Sequence, residues 1–192
     1  MRAARGYRVA APDMRGYGDS TVHDHPVACR QELVVADMLA LLDHLGRRRA
    51  VWIGHDGGSP TVWNMAAHFP ERCVAAATLA IAFGTLERGW GGLLPTVDRA
   101  RHPEDTSPYG QFDHMAFYEH HAKHAASVFE ASPGNTVKAF FRHDDPAAHT
   151  RPAPTSTITR DGGWFGGADS APDAPLSSTI LTEREGVSSA RG

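Results

Sequence analysis

Between Gly6 and Phe83 the apolar positions switch repeatedly between two kinds of spacing. Tyr7-Arg8-Val9-Ala10-Ala11 is a short β-like run that breaks at Pro12 into a glycine turn, Gly16-Tyr17-Gly18-Asp19-Ser20. From Gln31 to Leu45 apolar residues recur at helical spacing, at Val34, Met38, Leu41, Leu42 and Leu45. Gly46 then sits where a C-terminal cap belongs, and Arg47, Arg48 and Arg49 lie near the negative end of the helix dipole. Val51–Ile53 predicts a strand, Pro60–Phe69 a helix, and Phe69-Pro70-Glu71-Arg72 its stop. Cys73–Phe83 is a further β-like run. Strand, helix, strand, helix, strand at this spacing predicts a parallel α/β sheet.

The second half of the chain reads differently. Met115, Tyr118, Ala122, Ala125 and Phe129 fall on one stripe of a predicted helix. His120 and His124 share the opposite face as an i,i+4 pair, either a chelating pair or part of a solvated polar face. No carboxylate or cysteine completes a ligand set, since Glu119 points elsewhere, so no metal is expected. The stretch from Arg151 to Ser178 is rich in Pro, Ser, Thr and Gly and predicts loop.

The candidate chemistry lies between the second strand and its helix, at Gly54-His55-Asp56-Gly57-Gly58. A strand running into a turn bracketed by glycines, with a reactive side chain at the apex, is the layout of a nucleophile elbow with aspartate in place of serine. The residue type matters chemically. A serine attacking a saturated carbon leaves an ether, which water does not cleave under mild conditions. A carboxylate attacking the same carbon leaves an ester that hydrolyses at its own carbonyl. The substrate class is therefore one opened at carbon, an epoxide or an alkyl halide. Ser59 is a poor rival because Pro60 after it has no N–H to offer an oxyanion. The competing reading makes Asp56 an N-cap of the following helix. Gly16-x-Gly18 lacks the third glycine of a dinucleotide fingerprint, Thr21 standing in its place.

The chain resembles the soluble epoxide hydrolases of the α/β-hydrolase fold. The matching pieces are Gly16-Tyr17-Gly18-Asp19-Ser20, the elbow Gly54–Gly58, Phe69-Pro70-Glu71-Arg72, the lid segments Phe112-Asp113-His114 and Thr136–Arg142, and Asp161-Gly162-Gly163-Trp164-Phe165-Gly166-Gly167, in family order across residues 6–183. The resemblance implies a partial α/β-hydrolase core over residues 1–94, part of an inserted helical cap over 95–183, and a tail over 184–192. It makes Asp56 the nucleophile and Gly57 an oxyanion N–H donor. It places His114 where the family's lid carries a tyrosine that protonates the epoxide oxygen, with Tyr118 four residues on as the other candidate. His55 would line the pocket or pack at the elbow, and Trp63, Phe83 and Phe112 would be pocket walls or ordinary core. No metal or organic cofactor is implied. The sequence holds no His-Gly-x-Pro oxyanion loop and no motif for the family's histidine base, so the expectation is a truncated, impaired enzyme that opens an epoxide to a diol. The alternatives are a haloalkane or haloacid dehalogenase, for which Gly57 replaces a halide-cradling Trp, and a non-catalytic fragment.

Charge and composition narrow the partners. The 192 residues carry a net charge of −3, so no basic face recommends nucleic acid. No apolar run approaches the ~18 residues of a membrane span, and no signal peptide is evident. Cys29 and Cys73, the two cysteines, fit no metal or redox spacing and suit a reducing cytoplasm. The family's oxyanion-loop strand would lie between the strands at Tyr7–Ala11 and Val51–Gly54. Its absence leaves unpaired sheet edges, which predict self-association.

Overall fold

The structure is a computed structural model describing residues 6–141, 153–173 and 175. Arg142, part of the Arg151–Ser178 stretch and the 184–192 tail lie outside them. The chain divides into two compact units, Met1–Gly92 and Leu93–Gly192.

In the first unit, α1 (Gln31–His44) precedes β1 (Ala50–His55), α2 (Gly58–His68) and β2 (Cys73–Leu79), and a one-turn helix α3 (Gly89–Leu93) follows. β1 and β2 pair in parallel with α2 as the crossover; Gly54 stands opposite Thr78 and His55 opposite Leu79. Helix α1 runs where its apolar stripe predicts, burying Val34, Val35 and Leu42, and packs against α2. Thr61 on α2 donates to the Gln31 side-chain oxygen at 2.9 Å. Gly46, at φ 68°, turns the chain out of α1 as a cap glycine should. Helix α2 buries Ser59, Pro60, Thr61, Val62 and Met65, the last wholly inaccessible. The sheet face carrying Gly54 turns toward α2, whereas Val51 and Ile53 on the opposite face are 50% and 57% exposed.

Two predicted strands change. Tyr7–Ala11 forms no strand and is exposed throughout, because a strand is made by its ladder and the described sheet has only β1 and β2. It is held instead through the turn that follows it. Arg15 bridges both Asp37 carboxylate oxygens at 2.7 Å and donates to the Ala28 carbonyl, tying that turn to α1. The run Cys73–Phe83 ends as a strand at Leu79, since Ala80 enters the left-handed region at φ 75°.

The second unit is helical: α4 (Asp113–Ala131) and α5 (Pro133–Phe140) are preceded by a 3₁₀ turn Gly110–Phe112 and followed by another at Pro154–Ser156. Its core is Phe117, Ala125 and Ile158, with Phe129 and Trp164 packed around them. The predicted stripe on α4 is only partly right. The buried apolar positions are Ala116, Phe117, Ala125 and Val128, while Ala122 is exposed. The departure starts at Ala116 and Phe117, because Phe117 packs with Ile158 and Trp164, and a kink at His121, at φ −129° and ψ 31°, re-aims the second half of the helix. The same kink breaks the continuous helical spacing that placed His120 and His124 on one face. His120 lies beside the Tyr109 ring and His124 beside Phe117. Among the described residues no three His, Cys, Asp or Glu side chains converge on one point. No described helix is long and apolar enough to cross a membrane.

Candidate active site

The turn after β1 is built as the glycines dictate. A Cβ on Gly54 would lie 2.3 Å from the Gly58 carbonyl oxygen, so only glycine lets strand and helix approach this closely. Asp56 occupies the apex at φ 48°, one of two described non-glycine residues with positive φ. A left-handed aspartate costs on the order of 1 kcal/mol and persists only where its surroundings enforce it. The enforcing contacts are visible. The Asp56 N–H donates to the Leu79 carbonyl of β2 at 3.1 Å, and its carbonyl accepts the Ser59 N–H at 2.8 Å. The wholly buried Ser59 hydroxyl reaches the same Leu79 carbonyl at 2.9 Å. Ser59 is thus a brace beneath the turn, which removes it as a rival nucleophile.

Asp56 is exposed at the apex. It does not cap α2: the N-cap is Gly57, and no side chain makes the cap bond. Gly57 N–H belongs to the set of donors that a helix N-terminus leaves without intrahelical partners. His55 ends β1 with its side chain exposed, so it does not pack into the elbow. Trp63, half-buried on α2, donates its indole N–H to the Ile81 carbonyl at 3.2 Å and meets Phe83 edge-to-face at 5.7 Å. Phe83 is 65% exposed and is therefore not core. Both line an open groove past the end of β2.

The other candidates belong to the second unit. Phe112 is half-buried at the N-cap of α4. His114 and Tyr118 stand one turn apart with perpendicular rings 6.3 Å apart. Trp164 joins them, stacked on Tyr118 at 6.0 Å and edge-on to His114 at 6.5 Å. Tyr118 is 37% exposed; its partial desolvation raises the phenol above its ordinary value of 10.0, only partly offset by a hydrogen bond with the Trp164 indole. Asp113, buried at the start of α4, accepts the Thr159 N–H at 2.7 Å and pins the segment leading to Trp164.

A family model described as the alpha/beta hydrolase fold matches residues 2–155. The chain belongs to the α/β-hydrolase fold family. Within that family it is 32% identical over 183 residues to the bifunctional epoxide hydrolase 2 of Sus scrofa, covering 95% of this chain and 30% of that protein. Epoxide hydrolase A of Mycobacterium tuberculosis (strain ATCC 25618 / H37Rv) is 35% identical over 116 residues, covering 60% of this chain and 32% of its own length. The crystal structure of epoxide hydrolase A from Mycobacterium thermoresistibile superposes with a TM-score of 0.61 at 26% identity, over 93% of this chain and 52% of that one. This α/β-hydrolase chain therefore spans about a third of the length of the curated relatives it matches.

Several parts of the hydrolase arrangement carry little sequence signal. Ala80 gives no hint of its positive φ, and Ser59 reads as a discarded nucleophile rather than a brace. Asp113 and Trp164 lie in family-like segments, but their packing depends on residues far along the chain: Asp113 on Thr159, and Trp164 on Phe140, Phe129 and Tyr118.

Proposed function

We propose that this chain carries the nucleophile of an epoxide-opening hydrolase, with Asp56 as the attacking group. The observation that carries the proposal is the strained, exposed apex position of Asp56, braced through Leu79 and Ser59. One Asp56 carboxylate oxygen bonds to a ring carbon as the carbon–oxygen bond of the epoxide breaks. The departing ring oxygen takes a proton, a role assigned to Tyr118 or His114. The product is a hydroxyalkyl ester of Asp56. Water then attacks the ester carbonyl, and the oxyanion is held in part by the Gly57 N–H. A donor of this kind is worth about 3 kcal/mol. Collapse restores the carboxylate and releases a vicinal diol. Water needs a base to attack the ester, and the ester accumulates where that step is slower than its formation.

Intact mass after incubation with 1,2-epoxyhexane tests this. The expected result is one Asp56-dependent covalent adduct per chain, lost from Asp56→Asn even where a separate thiol adduct on exposed Cys29 remains. No adduct, or one undiminished in that variant, contradicts it.

The proposal extends to self-association through the sheet. Val51, Ile53 and Leu79 are exposed on its uncovered face, and the outer edge of each described strand lacks a ladder partner among the described residues.

A further inference from the structure

The dipeptide Asp-Gly occurs twice in the chain, each time followed by a second glycine, at Asp56-Gly57-Gly58 and Asp161-Gly162-Gly163. Such a pair can rearrange without an enzyme. The backbone nitrogen after the aspartate attacks the side-chain carboxyl, and glycine, having no Cβ, leaves the approach open. Sequence ranks the two sites equally; the fold does not.

At Asp161 both reactants are engaged. Its carboxylate accepts from the Arg160 guanidinium at 2.9 Å. That hydrogen bond holds the carboxyl below its ordinary value of 3.8, so the neutral, electrophilic form is scarcer than in an unpaired aspartate. The Gly162 N–H donates to the Thr159 carbonyl at 3.3 Å. At Asp56 neither reactant is engaged. Among the described residues its exposed carboxyl has no ion pair or hydrogen bond, and the Gly57 N–H has no acceptor. The backbone also favours ring closure. φ is 48° at Asp56 and returns to −55° at Gly57, the succession of a type II′ turn, whose first central residue has ψ near roughly −120°. With ψ there, Cβ eclipses the next nitrogen, as a planar five-membered imide requires.

We propose that Asp56–Gly57 is a site of spontaneous isomerisation, at which aspartate passes through a cyclic imide to isoaspartate. The Gly57 nitrogen bonds to the Asp56 carboxyl carbon, and the carboxyl hydroxyl leaves with the amide proton as water. A second water then adds to the former backbone carbonyl of Asp56, whose bond to the Gly57 nitrogen breaks. In the folded turn that carbonyl accepts the Ser59 N–H at 2.8 Å, which polarises it and favours opening on this side over return to aspartate. The main chain then runs through the side-chain carbon and is one methylene longer, and the free carboxylate sits on Cα. On the Asp56 reading above, each isomerised chain has lost its nucleophile.

Prolonged incubation of the folded protein in neutral ¹⁸O-enriched water, without epoxide, tests this. Peptide mapping with electron-transfer fragmentation separates isoaspartate from aspartate, and each passage through the imide fixes one heavy oxygen. Isoaspartate and label at Asp56 should exceed those at Asp161 at least fivefold. In urea, where both Asp-Gly-Gly sequences are freed from the fold, the ratio should fall toward one. Gly57→Ala, whose Cβ would meet nothing within 4 Å, should slow labelling at Asp56 at least fivefold and leave Asp161 unchanged. Epoxide capture by the aged protein should fall in proportion to its isoaspartate content.

An Asp56 that stays unlabelled, equal conversion of the two sites in the folded protein, or an excess at Asp56 that persists in urea overturns the inference. Epoxide capture by the fresh protein then leaves the nucleophile reading standing. Isoaspartate at Asp56 in a protein that captures no epoxide even when fresh upholds the inference and overturns the nucleophile reading alone.

Discussion

At the scale of single residues, the elbow trades stability for an exposed carboxylate. Asp56 holds φ 48° because Leu79 and Ser59 fix the backbone around it. Asp56→Gly relieves that conformation and should raise the unfolding free energy by about 0.5–1 kcal/mol while abolishing adduct formation. Thermal melts of the two proteins check it; a variant less stable than the parent would show that the aspartate is not strained. Gly54 is the opposite case. Its Cβ would lie 2.3 Å from a backbone oxygen that no rotamer change can move. Gly54→Ala should therefore cost about 3 kcal/mol or more, measured by denaturant titration. These two positions were legible in the sequence, because a glycine pattern around a reactive residue encodes local backbone geometry. Ala80 was not, since alanine carries no signature of a left-handed conformation.

At the scale of elements, local period served well where neighbours were present and failed where they were not. Helix α1 formed where its stripe and Gly46 placed it. Tyr7–Ala11 has strand-like composition but no ladder among the described residues, so pattern alone could not make it a strand. Helix α4 buries Ala116 and Phe117 rather than a stripe through Tyr118 and Ala122, because its buried face is chosen by Ile158 and Trp164 packing on Phe117. What fixes the N-terminal turn is the Arg15–Asp37 pair, a contact 22 residues apart that no spacing rule foresees. The Arg15 hydrogen bond holds the Asp37 carboxyl below its ordinary value of 3.8. A carboxylate with a lowered folded-state value stabilises above its unfolded value, and that contribution disappears as pH falls through the folded one. The melting temperatures of the parent and Asp37→Asn should thus differ near neutrality and converge as pH drops below 3.8. A gap that stays constant into acid would mean that the pair contributes through packing rather than charge.

At the scale of the molecule, the family and the α/β class were legible because several motifs recur in order over much of the chain, and the family match to residues 2–155 agrees. The packing of Trp164 on Tyr118 and of Asp113 on Thr159 was not, because it is decided by tertiary contacts. The uncovered sheet face has a consequence in solution. Ile53, 57% exposed at the middle of β1, should drive concentration-dependent association. Ile53→Lys would place a charge there and oppose it. Sedimentation velocity across a concentration series should show the parent's average mass rising and the variant's staying monomeric. A parent that stays monomeric at every concentration contradicts the self-association reading.

The most direct test of the central claim is to locate the covalent bond. Exposed Cys29 can also open an epoxide, so mass gain alone does not identify the nucleophile. Tandem mass spectrometry of proteolysed, epoxyhexane-treated protein should place the hydroxyalkyl group on Asp56 as an ester. An adduct confined to Cys29, Cys73 or a histidine, with Asp56 unmodified, would contradict the account.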